Sequence, residues 1–182
     1  MTRRSHSLVL TLTAVALLCG CAGLMMDVKD LDAEHKNLAL KSGESVAIDD
    51  ATLEASIKKA NHNADAKKVA AELKEELSAK LVEKGVTVDP ASDQKLTVEI
   101  TRYTPGCGFC RGFFPVFGLG NTYFDGKVTL AVPAGTRVLM VEKTGQSSGT
   151  TQMGDQTSKN IDYFASVVAS KLADSEAQSK QD

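Results

Sequence analysis

No run of apolar residues in this 182-residue chain is long enough to cross a lipid bilayer as a helix, which takes about 20 residues. The longest such run, residues 8–18, is much shorter and follows the basic pair Arg3 and Arg4. A basic start before a short apolar run is typical of a cleaved export signal. We therefore expect residues 1–20 to be a signal peptide and the rest of the chain to be exported.

Basic residues are not in excess. Residues 1–20 hold two of the 21 basic side chains and none of the 23 acidic ones, so the rest of the chain has a formal charge of −4. Nucleic acids and anionic lipid surfaces bind proteins through a basic footprint. Net charge therefore makes both of them poor partners, and we expect no nucleic acid to bind. The 162 residues that remain are enough for one domain with its own core.

Cysteine and histidine are scarce, with four and three residues. A structural zinc site takes four ligands. Beyond the signal, the chain offers only five such side chains, namely Cys21, His35, His62, Cys107 and Cys110. Cys21 has another role, described below, so we expect neither a metal nor a cofactor.

Cys107 and Cys110 form a Cys-x-x-Cys motif in a loop after Pro105. Exported proteins reside where disulfides persist, which favours a local disulfide between these two cysteines. A ring this small gains only about 2 kcal/mol and would stiffen its own loop. The alternative is a redox-active pair, which needs a thiolate at the N-terminus of a helix. No helical pattern follows the motif.

No catalytic motif is complete. Residues 145–149 match Gly-x-Ser-x-Gly, but a nucleophile elbow needs a helix directly after the serine and a histidine later in the chain. The last histidine is His62. Gly118 and Gly120 lack the third glycine of a dinucleotide-binding loop. We therefore expect no enzymatic activity.

Residues 18–21 read Leu-Cys-Gly-Cys and resemble the lipobox of bacterial lipoproteins, in which the last cysteine is acylated and becomes the mature N-terminus. The resemblance implies that Cys21 carries the lipid. Acylation of Cys19 instead would place the bulky Leu18 directly before the cleavage site, where a small residue is needed. An ordinary secretory signal cleaved near Gly20 is the other alternative.

Ala22 and Gly23 supply no aspartate retention signal, so the same resemblance implies the outer membrane, with the domain facing the periplasm. Residues 21–44 mix charges with sparse apolar positions and are predicted to be the anchor and a tether. Fully extended, this tether would reach about 75 Å. We expect the domain to span residues 45–173 and residues 174–182 to form a flexible polar tail.

Hydrophobic periodicity predicts the fold class. Alternation of apolar and polar residues predicts four strands, at residues 45–49, 95–103, 123–132 and 137–144. Apolar residues at three- and four-residue steps predict a helix from about residue 66 to Gly85 and another through residues 161–172. Residues 50–64 are ambiguous. The order β-α-β-β-β-α favours an α+β domain, in which two amphipathic helices cover one face of a small, mostly antiparallel sheet of about four strands.

The loop at residues 104–121 holds four of the six phenylalanines. If exposed, it would contact a partner or a membrane, because monomers rarely display contiguous apolar surface. The alternative is that it folds under the sheet edge and completes the core. Because loops often carry function, we assign partner contact to its apolar side chains, Phe109, Phe113, Phe114, Phe117 and Leu119.

The chain resembles the bacterial lipoproteins grouped as domain of unknown function 4410. The likeness covers about residues 45–173, in addition to the lipobox. It rests on the order of several features: a long helix ending in Gly85, a strand running into Pro105 and Gly106, the Gly118-Leu119-Gly120 turn, a hairpin and a closing helix. The resemblance implies an α+β domain on a lipid anchor and no defined reaction. The architecture is also loosely similar to that of the periplasmic lipoproteins that activate peptidoglycan synthases, an analogy of fold alone.

We therefore expect a bacterial envelope lipoprotein that acts as a non-catalytic binding or accessory component on the periplasmic side of the outer membrane. Its expected partners are the membrane, through the lipid, and an envelope protein, through the loop at residues 104–121. The competing hypothesis is a thiol–disulfide active periplasmic protein that uses Cys107 and Cys110.

Overall fold

A computed structural model describes residues 26–105, 122–143 and 157–173. The predicted α+β class is confirmed. Within these ranges the chain forms six strands and three helices: β1 (Met26–Asp30), β2 (Ser45–Ile48), α1 (Asp50–Ala60), α2 (Ala66–Glu83), β3 (Thr87–Val88), β4 (Lys95–Thr104), β5 (Tyr123–Val132), β6 (Gly135–Lys143) and α3 (Thr157–Ala173).

The strands form one mixed sheet in the order β1-β6-β5-β4-β2-β3. Neighbours from β1 to β4 are antiparallel, whereas β2 and β3 run parallel to β4. The structure thus adds two edge strands and the helix α1 to the elements that periodicity predicted. Strands of five and two residues are too short to show a reliable alternation.

The segment predicted as a tether is largely part of the domain. From Met26 to Asp30 it forms β1, which pairs with β6 at the sheet edge. Further on, Leu40 is buried, and its N–H donates to the carbonyl of Leu172 at 2.8 Å. The tether prediction therefore fails from Met26 onward, because apolar side chains such as Val28 pack on the core between charged neighbours that face away.

One face of the sheet is covered by the helices and forms the core. The predicted stripe of α2 is buried there, as is the predicted stripe of α3. Phe124 of β5 lies at the centre, edge-to-face with Tyr103 at 5.6 Å and with Phe164 of α3 at 5.4 Å between ring centroids. Leu53 and Ile57 of α1 complete the layer, so the ambiguous stretch at residues 50–64 is a helix as far as Ala60.

The boundaries of α1 and α2 follow from their capping residues. Asp49 accepts the N–H of Thr52 at 3.1 Å, and Asp65 accepts the N–H of Lys68 at 3.1 Å. After α2, Gly85 adopts a φ of +80°, the left-handed exit expected of a glycine. The glycine exit is as the sequence predicts, and of the two capping candidates in the sequence, Asn63 and Asp65, the structure uses Asp65.

Arg137, at the start of β6, ties the N-terminal strand to the last helix. Its buried guanidinium donates to both carboxylate oxygens of Asp30, at 2.7 and 3.1 Å. It also donates to the carbonyl oxygens of Leu38 and Lys171, at 2.9 and 3.0 Å. One side chain therefore connects β1, the segment after β1 and the C-terminal turn of α3.

Among the described helices, none is both long and apolar enough to span a membrane.

Candidate functional site at one end of the sheet

The site residues predicted from the sequence lie outside the described ranges. These are Cys21, Cys107, Cys110, Phe109, Phe113, Phe114, Phe117 and Leu119. The strands that flank them show where the described parts of the chain end and resume.

Four strand termini meet at one end of the sheet. Thr104, the last residue of β4, pairs with Tyr123, the first residue of β5. Met26, the first residue of β1, pairs with Lys143, the last residue of β6. Because β5 lies between β4 and β6, both pairs lie at the same end, which we call the loop end. The opposite end, which carries the turn between β5 and β6, is the hairpin end.

Buried polar side chains concentrate at the loop end. Thr122 and Asp125 are buried beside the start of β5, and Thr157 and Asn160 are buried at the start of α3. The hydroxyl oxygens of Tyr103 and Thr157 lie 3.4 Å apart. These groups hold the end of β4 against the start of α3, because a buried hydroxyl needs a partner.

A β-bulge in β4 determines which side chains face the core at the loop end. The register with β5 shifts between Ile100 and Arg102, so that Thr101 is an extra residue. Strict alternation from Ile100 would turn residue 102 into the core and residue 103 outward. The bulge does the opposite: Tyr103 is buried, while the side chain of Arg102 remains 50% exposed.

Arg102 makes two contacts on the face away from the helices. Its Nε donates to Oδ2 of Asp125 at 2.6 Å, and its guanidinium carbon lies 3.9 Å from the ring centroid of Tyr123. The Asp125 side chain is only 7% exposed. The sequence pattern did not reveal this group, because the bulge alters which face each residue occupies without altering the residue types.

On the same face of the sheet, a row of mostly charged side chains crosses the strands. Glu99, Lys127, Met140 and Lys29 lie side by side across four strands. Lys127 lies 3.9 Å from Glu99, and Lys29 lies 3.0 Å from Glu142. The hydrogen bond with Glu142 raises the pKa of Lys29. Exposed pairs of this kind contribute little to stability.

The described residues offer no assembled reaction centre. Within them, no three His, Cys, Asp or Glu side chains lie close enough to hold a metal ion. The charged groups are paired across strands, as in a solvated or docking surface.

Comparisons with known proteins show a distant likeness to a solved structure. No family model matches the chain, and no curated protein matches it. A solved structure, the dodecamer of a single-substitution variant of PelC from Paraburkholderia phytofirmans, is similar over 82% of this chain and 98% of that chain, with 14% sequence identity and a TM-score of 0.49. A likeness this distant carries no conclusion about function.

Proposed function

We propose that this chain is a bacterial envelope lipoprotein, held in the outer membrane by acylated Cys21, whose α+β domain is a non-catalytic binding or accessory component in the periplasm. The relationship to the lipoproteins of domain of unknown function 4410 is part of this proposal. One observation carries it furthest: Met26 lies at the loop end, paired with Lys143. Met26 is five positions after Cys21, so the acylated residue lies at most about 18 Å from the sheet.

The same end carries the connection between β4 and β5. Thr104 and Tyr123 bracket the segment with the proposed contact residues Phe109, Phe113, Phe114, Phe117 and Leu119. A loop at the same end of the sheet as the proposed anchor would meet partners near the bilayer surface. We therefore propose an envelope protein embedded in, or held at, the same membrane as the binding partner.

The anchor is tested by the intact mass of protein isolated from its native membrane, with thiols alkylated before and after reduction. We expect a mass that fits Cys21 as an acylated N-terminus, with Cys107 and Cys110 unreactive until reduction. A chain without lipid would refute the anchor. Alkylation of either cysteine before reduction would refute the disulfide.

The contact loop is tested by replacing Phe113 and Phe114 together with serine and measuring co-purification of cross-linked envelope proteins. A matched control replaces Leu31 and Val82 with serine, since these apolar side chains are 55% and 60% exposed. We expect the first variant to lose its partners and the control to keep them. Equal co-purification by both variants would refute the contact role of the loop.

Thiol–disulfide activity is the competing function. Replacing Cys107 and Cys110 with serine removes it completely, whereas under our proposal the variant keeps its partners and its phenotype. Loss of the phenotype with retained partners would favour the competing function.

A further inference from the structure

Four lysines crowd the tip of the helical hairpin made by α1 and α2. Lys58 and Lys59 are in the last turn of α1, and Lys67 and Lys68 are in the first turn of α2. All four are exposed, and we call them the lysine tip. Between residues 55 and 71 the one acidic residue is Asp65, so this stretch has a formal charge of +3 with histidine neutral, and Glu54 and Glu72 flank it.

The lysine tip is not neutralised within the described part of the chain. None of its four side chains has an ion pair there. Elsewhere on the same helix, Lys74 lies 2.6 Å from Asp50 of α1, and Lys80 lies 3.1 Å from Asp162 of α3. Lysines along the body of α2 therefore bind carboxylates of neighbouring helices, and those at its tip face solvent.

Two of the four lysines stand where a helix disfavours them. The N-terminus of a helix carries a partial positive charge, so lysine in the first turn is unfavourable and acidic residues are preferred. The first turn of α2 contains Lys67 and Lys68 and no acidic residue. Asp65 caps the helix from outside, through the N–H of Lys68. Basic residues at a position where helices prefer acidic ones indicate a role other than stability.

The lysine tip lies at the loop end. The N–H of Asp49, just before α1, donates to the carbonyl of Leu96 at 3.0 Å, and Ser56 within α1 accepts the N–H of Ile100 at 2.9 Å. The helix therefore runs alongside β4 in the same direction, towards Thr104. Its last turn and the turn into α2 therefore point towards the loop end, beside β4 and three strands away from β1.

We infer that the lysine tip binds the anionic phospholipid headgroups of the membrane in which the chain is anchored. This inference rests on the proposed function, because the anchor at residue 21 is what brings the loop end to a bilayer. A lipid chain together with a basic patch is a stable combination for membrane attachment. The net charge of −4 disfavours anionic lipid surfaces for the domain as a whole, but a surface responds to the charge within about a Debye length, so the local charge of the lysine tip decides.

The test removes the anchor so that the headgroup contact is measured alone. The mature chain from residue 21 carries Cys21→Ser and is mixed with phosphatidylcholine vesicles, with or without phosphatidylglycerol. The tip variant replaces all four lysines by glutamine, which has a similar helix propensity. A control of equal net charge replaces four exposed lysines at the hairpin end: Lys36, Lys41, Lys95 and Lys171.

We expect the chain with intact lysines to partition onto phosphatidylglycerol vesicles and to be released by salt. A lysine near such a surface contributes about fivefold in binding, so losing four of them should weaken the binding of the tip variant by roughly 600-fold. The control should change less than threefold, and circular dichroism should show all three chains folded. Equal losses in tip variant and control, or no preference for anionic vesicles, would overturn the inference. Because this assay needs no acylation, its result is independent of the mass measurement on Cys21.

Discussion

Replacing Arg137 by leucine tests how the N-terminal strand is held on the sheet. The arginine side chain is 6% exposed and donates to Asp30, to the carbonyl of Leu38 and to the carbonyl of Lys171. Leucine fills part of the same space but donates nothing. The carboxylate and both carbonyls therefore lose a partner in a single substitution.

The expected loss can be worked out from these contacts. A buried acceptor without a partner costs about 1–3 kcal/mol. The Asp30 side chain is 31% exposed, so water replaces part of what it loses. Taking about 1 kcal/mol for the carboxylate and for each carbonyl, we expect the free energy of unfolding to fall by about 3 kcal/mol. For a domain of this size the midpoint temperature should drop by about 6–12 °C.

Urea unfolding followed by circular dichroism measures this loss. Arg137→Lys should fall between the native chain and the leucine variant, because lysine keeps the charge without the planar fork. The matched control is Lys29→Leu, which breaks an exposed ion pair with Glu142 on the neighbouring strand and should lower the free energy of unfolding far less. If Arg137→Leu costs no more than this control, the account of β1 attachment is refuted.

Two further substitutions test the core and a helix cap. In Gly126→Ala the added carbon would lie 3.0 Å from Cζ of Phe164 and 3.2 Å from the carbonyl oxygen of Glu99. We expect the free energy of unfolding, measured in urea, to fall by about 1–3 kcal/mol. Unchanged stability would show that Phe164 can move aside without cost. Asp49 is the second test. Hydrogen bonds from Thr52 hold its pKa below the usual 3.8, so its contribution is present above that pH and is lost as the pH falls through the folded value. Asp49→Asn should match the native chain near neutral pH and lose less stability between pH 5 and pH 3, and identical acid profiles would contradict this.

Long repeating patterns made the core predictable. Leu96, Val98 and Ile100 alternate with polar residues along β4, and the stripe of α2 recurs over 18 residues, so both buried faces could be identified from the sequence. The bulge at Thr101 could not, since one inserted residue moves the following side chains to opposite faces without any change of residue type. The contacts of Arg102 were missed for that reason.

The sequence patterns also could not predict which distant strands pair with each other. β1 has only five residues, with Asp27 and Lys29 facing away from the core, and its composition resembles a tether. Its partner β6 lies more than a hundred residues later, as shown by the bond between Lys29 and Glu142, which are 113 positions apart. The sequence predicts an anchor and an apolar loop separately, and only the sheet register places their attachment points at one end.

The same long separation orders the assembly of the domain. A chain that emerges from its N-terminus exposes β1 more than a hundred residues before β6 and the last turn of α3. Until then β1 is an unpaired strand that other chains could join. Asp27 and Lys29 place opposite charges on its outward face, and charged side chains on a strand discourage pairing between copies. The two charged residues that make β1 resemble a tether therefore also disfavour pairing of this strand with other copies before β6 and Arg137 are available.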